Sequence, residues 1–168
     1  MSNESREVFS ALRDFRAAPW ESIPDLGLYM DQVITFIGRI YAPIYGDDVR
    51  AFLSASMINN YVKARLIPRP AGKKYSREQV ALLVMIVPLK QVCSMDDIRR
   101  MLASSGESET RALYDGFCTQ FTRAAAAIAM GDPIAFSPSP TALELAILAS
   151  VCRAGCASAL ERETEQVH

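Results

Sequence analysis

Apolar positions recur along this chain at intervals of three and four, the repeat of one helical face. In residues 4–17, Val8, Leu12 and Phe15 share a face while Glu7, Arg13 and Asp14 lie elsewhere, which predicts an amphipathic helix packed on a neighbour. Pro19, Trp20 and Pro24 interrupt the pattern, and Tyr29, Val33, Phe36, Ile37 and Ile40 restart it, predicting a second helix over residues 28–41. The Pro, Gly and Asp residues of 43–48 predict a loop, followed by a brief helical stretch at 49–53. Ser56 is then expected to cap a short helix. In it Ile58, Tyr61, Val62 and Arg65 fall on one side, and Asn59, Asn60 and Lys63 on another. Pro68 and Pro70 are expected to end that helix, and residues 71–75 to form a short turning segment, the place for a wing.

Two helix-start signals follow. Ser76-Arg-Glu-Gln79 has the spacing of a capping box ahead of the apolar stripe Val80, Leu83, Ile86 and Leu89, with a kink expected at Pro88. Ser94-Met-Asp-Asp97 repeats the signal ahead of Ile98, Met101 and Leu102, after a tight turn at 91–93, and Asp96 and Asp97 supply the negative charge that suits a helix start. Beyond Ser104, a polar stretch at 105–110 separates this core from two further helices, expected over 111–130 and 140–161, with Gly131, Pro133, Pro138 and Pro140 as punctuation. The last carries Leu143, Ile147, Leu148, Val151 and Cys152 among many small residues, so burial over much of its circumference is expected, in the core or in a dimer. The pattern as a whole predicts an all-α protein. Residues 1–104 are expected to hold an N-terminal helix and a helical core, and residues 105–168 a helical segment packed on that core or making a dimer contact.

Composition narrows the function by exclusion. A chain of 168 residues that is 50% hydrophobic can bury one compact core. With 18 basic against 19 acidic residues, the bulk charge points to no partner. No basic region followed by an apolar core opens the sequence, and its longest apolar run, residues 80–89, is far short of the roughly 20 residues that span a bilayer. A cytoplasmic protein without a membrane span is expected. Cys93, Cys118, Cys152 and Cys156 are scattered through apolar helical surroundings and read as reduced core thiols; the alternative is a metal- or redox-sensing pair at Cys152 and Cys156, which are four apart. No metal ligand set and no cofactor is assigned. The single histidine, His168, is terminal, and no phosphate-binding loop, nucleophile elbow or HExxH motif is present, so no enzyme is expected. Trp20, Tyr29 and Phe36 read as core residues, with the lining of a small-molecule pocket as the alternative and any effector left open.

The distribution of charge says more than its sum. Between Met57 and Arg77 stand six basic residues, Lys63, Arg65, Arg69, Lys73, Lys74 and Arg77, and no acidic one. Such a cluster can neutralise phosphates with release of counterions, and Asn59, Asn60 and Lys63 on an exposed helix can reach base edges in a major groove. The plainer alternative is a solvated cationic face.

Ile58-Asn-Asn-Tyr-Val-Lys-Ala-Arg-Leu-Ile-Pro68 resembles the recognition helix and exit of the mercury-resistance-regulator (MerR) family. Tyr75-Ser76, then Val80, Leu83, Ile86 and Leu89, then Ser94-Met-Asp-Asp-Ile98 follow in the order of that family's wing and next two helices. A closer resemblance, to a bacterial domain family of uncharacterised function, rests on Leu28-Tyr-Met-Asp-Gln-Val33, Met57-Ile-Asn-Asn-Tyr-Val-Lys63, Lys73-Lys-Tyr-Ser76 and Leu89-Lys-Gln-Val92. The resemblance implies a MerR-like winged helix-turn-helix with at most a minimal β wing and additional N- and C-terminal helices. It implies a transcriptional regulator that binds duplex DNA as a homodimer through Asn59, Asn60, Lys63, Arg65, Arg69, Lys73, Lys74 and Arg77. Asn59, Asn60 and Lys63 would face the groove, Lys73 would hold phosphate from the wing, and Tyr61, on the inward side, would be a core residue or a backbone contact. The sequence departs from the larger family at Asn59, where Arg is usual, at Arg65, where Gly ends the recognition helix, in the longer connection at 47–54, and in having no long heptad helix for dimerisation. The alternative reading is a non-enzymatic protein-interaction module that kept the shape and holds a partner through apolar C-terminal helices.

Overall fold

The computed structural model describes residues 10–46, 49–103, 106–133 and 138–165. Its helices are α1 (Met30–Tyr45), α2 (Val49–Phe52), α3 (Ala55–Lys63), α4 (Arg77–Leu89), α5 (Met95–Met101), α6 (Glu107–Met130) and α7 (Ala142–Glu165), preceded by a helical stretch at 10–14 and a 3-10 turn at Trp20–Ser22. Among the described residues there is no named strand, only two isolated bridges, Leu28 with Tyr75 and Ala71 with Lys74. The protein is all-α.

Helix α4 is the axis of the core. Every residue from Gln79 to Leu89 is buried, so its Val, Leu, Met and Ile side chains meet protein on all sides and not along a single stripe. Around it pack α1, α6 and α7, and α6 and α7 also pack on each other. Ser76 caps α4 as its sequence spacing predicts: its hydroxyl accepts from the Gln79 amide, and the Gln79 side chain accepts from the Ser76 amide at 2.7 Å. The same happens at α5, where the Ser94 hydroxyl accepts from the Asp97 amide at 3.2 Å. An aromatic cluster ties the N-terminal segment down, with the Phe15 ring 5.3 Å from Phe121 and that of Trp20 5.9 Å from Tyr114. Leu12 and Phe15 are buried as expected; Val8 and Glu7 lie outside the described residues.

Several boundaries differ from the sequence reading, each for a local reason. Helix α1 does not stop before Pro43 but runs through it to Tyr45. Arg39, whose carbonyl loses its helical donor to the proline, lies with Pro43 on the exposed side, where water can take the bond. Asp47 and Asp48, the end of the predicted loop, are outside the described residues. The cap of α3 is Ser54, accepting from the Met57 amide at 3.3 Å, and Ser56 is an exposed residue within the helix. Helix α6 begins at Glu107, inside the stretch predicted to be a linker, of which 104–105 are outside the described residues.

Helix α7 is not buried over most of its circumference. Ala146, Ile147, Ser150, Val151 and Ala154 face the core, whereas Leu145, Ala149, Cys152 and Cys156 are exposed. The expectation of core thiols is therefore corrected for Cys152 and Cys156; Cys93 and Cys118 are half-buried, and all four are free. Trp20 is in the core, Phe36 is half-buried and Tyr29 is exposed. No helix among the described residues is long and apolar enough to cross a membrane.

Candidate nucleic-acid interface

Helix α3 divides its residues cleanly. Ile58 and Tyr61 are buried and anchor it, while Asn59, Asn60 and Lys63 are exposed on its other side. Burial pushes the Tyr61 hydroxyl above its ordinary range. The helix ends at Lys63, well before Pro68, because the chain turns left-handed at Arg65 (φ 56°). The Leu66 amide then reaches back to the Tyr61 carbonyl at 2.9 Å and the Arg65 amide to that of Val62 at 3.0 Å, the two bonds of a Schellman ending. Glycine is the usual residue in that conformation, and here it is arginine.

The turn at 71–74 is equally tight. Gly72 (φ 55°) and Lys73 (φ 67°) are both left-handed, as a type I′ hairpin turn requires, and the Lys74 amide donates to the Ala71 carbonyl at 3.0 Å. What holds this turn in place is a segment far away in sequence: Leu28 and Tyr75 exchange both backbone bonds, at 2.9 and 2.8 Å. The ammonium of Lys74 sits 5.2 Å from the centre of the Tyr29 ring, a cation–π contact that keeps it at the surface. Gly27 fits because a β-carbon there would lie 3.3 Å from that of Lys74, and its own φ is +71°.

Between the exit of α3, the turn and the start of α4 lies a groove of about 990 Å³, closed on its far side by α5 and the start of α6. Lys63, Arg65, Arg69 and Lys74 line it, and so do Glu78 and Glu107, so its cationic character is strongest toward α3 and the turn. Of the other residues singled out from the sequence, Asn59 and Asn60 are exposed on α3 outside the groove, and Lys73 is exposed at the tip of the turn. Arg77 is placed differently. It is half-buried, donates to the Ile23 carbonyl at 2.8 Å and lies 3.6 Å from the Asp25 carboxylate, so it fastens the N-terminal segment to α4. Gln79 serves a similar end, donating to the Pro68 carbonyl at 3.0 Å.

One residue of this region escaped the sequence reading. Arg99, on α5, donates to the Ala64 carbonyl at 2.6 Å, pairs with Asp96 and also lines the groove. Nothing local marks it, since its partner at the end of α3 is 35 residues away. Among the described residues no group of three or more His, Cys, Asp or Glu is placed to hold a metal ion.

Residues 18–117, more than half of the chain, match the model of a domain of unknown function, DUF1836. The chain belongs to the DUF1836 family. The DUF1836 match takes in α1 to α5, the turn, the groove and the first part of α6, so the whole candidate surface lies within it. Neither a curated protein nor a solved structure matches the chain significantly.

Proposed function

We propose that this DUF1836 protein is a winged helix-turn-helix regulator of MerR type, which binds duplex DNA as a homodimer in the cytoplasm and has no catalytic role. The observation that carries the reading is the division of α3: two buried anchors, and on the opposite side Asn59, Asn60 and Lys63 free to meet base edges, beside a groove lined by Lys63, Arg65, Arg69 and Lys74. The tight 71–74 turn supports reading this segment as a minimal wing, with the exposed Lys73 and Lys74 as its phosphate contacts. Dimerisation would join two weak half-site contacts into one useful affinity, with the exposed side of α7 as its surface.

The test is a fluorescence anisotropy titration of a labelled random-sequence duplex, at several salt concentrations, with wild type and the Lys73→Glu/Lys74→Glu variant. Binding that falls steeply with salt, by roughly 0.9 log unit per log unit of salt for each phosphate contacted, and that is lost in the variant supports the reading. Absence of binding at low salt overturns it.

A second reading, a protein-interaction module, draws on α7 itself. Leu145 and Leu160 are 48% and 56% exposed, and Leu145 borders a groove of about 760 Å³ shared with Val92, Met101 and Leu143. Apolar assembly through that side would hold or strengthen as salt rises and needs no duplex, so the duplex titration above separates the two: no binding to duplex at low salt favours this second reading.

A further inference from the structure

We propose that Arg99 is a positioning residue for the DNA-facing side of α3; the proposal rests on the DNA-binding reading above. Three observations meet at this side chain. First, α3 ends in a left-handed turn at Arg65, a conformation that a non-glycine residue adopts against its own preference, so a further tie beside the two backbone bonds of the ending helps to hold it. Second, that support arrives from α5: the Arg99 guanidinium donates one nitrogen to the Ala64 carbonyl, the residue just before the turn, and another to Asp96 on its own helix. Third, the bond spans the edge of the cationic groove, so Arg99 ties the start of that groove, at Lys63 and Arg65, to its far wall.

The chemistry is specific to arginine. A helix C-terminus carries a partial negative charge and unpaired carbonyls, which a cation satisfies. A planar fork holds a carboxylate with one arm and a backbone carbonyl with the other in one fixed geometry, whereas the ammonium of lysine, though it has three donors, is a point charge on a flexible stem. Asp96 aims the fork, and the fork fixes where α3 stops. Asn59, Asn60 and Lys63 lie within the last turn and a half of α3, so a shift at Ala64 moves all three relative to the 71–74 turn. Base edges tolerate such a shift poorly, whereas phosphates tolerate it well.

The experiment uses the full chain as wild type, Arg99→Ala and Arg99→Lys, with two probes: the duplex that wild type enriches from a randomised library, and the unselected library duplex. Amide hydrogen exchange at Arg65 and Leu66 is measured in parallel. The proposal expects faster exchange at those two amides in both variants. It also expects the preference for the enriched duplex to fall about five- to ten-fold, the scale of one good base contact, while affinity for the library falls two-fold or less in Arg99→Ala and is unchanged in Arg99→Lys. Equal losses on both duplexes would make Arg99 one more phosphate contact and overturn the proposal, as would unchanged exchange. Faster exchange in the variants of a wild type that binds no duplex at low salt would leave the tie purely structural, and the proposal would fall together with the DNA-binding reading.

Discussion

The hydroxyl of Tyr41 donates to the carbonyl of Val84 at 2.7 Å, in the buried middle of the protein. Val84 is four residues before Pro88, and a proline has no amide proton to give, so within α4 that carbonyl has no helical donor. Helix α1 supplies the missing bond from outside. A proline in the most buried helix of the fold is thereby accommodated, and α1 is fixed in rotation and height against α4.

Tyr41→Phe is therefore expected to destabilise the fold by about 1–3 kcal/mol, since it leaves a buried carbonyl unpaired. Pro88→Ala returns an amide donor to Val84, so the double variant should lose less than the sum of the two single changes. Thermal or urea unfolding of all four forms checks this; strict additivity would mean that the Tyr41 bond and the proline are unrelated.

How much of this could be read in advance follows the range of the interactions. The caps at Ser76 and Ser94 were legible because donor, acceptor and apolar stripe lie within one turn of each other. The complete burial of α4 was not, because a single stripe of Val80, Leu83, Ile86 and Leu89 is compatible with either one or several packed neighbours. Arg77 stands in the basic run and looks in sequence like the surface cations around it, yet its partners, Ile23 and Asp25, come from a segment 54 and 52 residues earlier. The ending of α3 was hidden for another reason: a left-handed arginine gives no compositional signal, and the prolines beyond it offered a more obvious stop.

Stability should fall in alkali. Burial pushes Cys118 up to about 11 from 9.0 and Tyr45 up to about 12 from 10.0, and it also raises Tyr41 and Tyr114. Each is an acid whose neutral form is favoured by folding. Between its ordinary and its folded value the native state holds a proton that the unfolded chain has released, so stability declines as pH rises through that window. Urea midpoints should be flat with respect to these groups up to about pH 9, then fall progressively toward 12, with Cys118→Ala making the first part of that fall shallower while Cys93, also raised by burial, keeps the onset in place. A midpoint unchanged at pH 10.5 or so would contradict the burial of these groups.

Asn59→Ala tests the assignment of α3 to base edges. The expected outcome is a changed sequence preference, by about 1 kcal/mol or more at one base pair, with affinity for unselected duplex nearly intact. Binding to individual members of a duplex panel would show it. Uniform losses across the panel would place Asn59 on the backbone or outside the contact.

The two left-handed cations provide a different test. Arg65→Gly and Lys73→Gly remove the conformational penalty of a side chain at positive φ and should each stabilise the fold by up to about 1 kcal/mol. Under the DNA-binding reading the same changes remove charge from the contact surface and weaken duplex binding. Opposite signs in unfolding and in anisotropy would identify both residues as held in place by function; a gain in both would assign their charges no role.

The pair of backbone bonds between Leu28 and Tyr75 joins the chain just before α1 to the chain just before α4. Everything between them, α1, α2, α3 and the 71–74 turn, leaves and returns at one point. That makes residues 29–74 a cassette with adjoining ends, seated on α4 through α1 and tied at Pro68 and Ala64 by Gln79 and Arg99. Such a piece can be exchanged for the corresponding stretch of another DUF1836 chain without cutting the framework of α4, α6 and α7, so under the DNA-binding reading surfaces of different selectivity would diversify on one support.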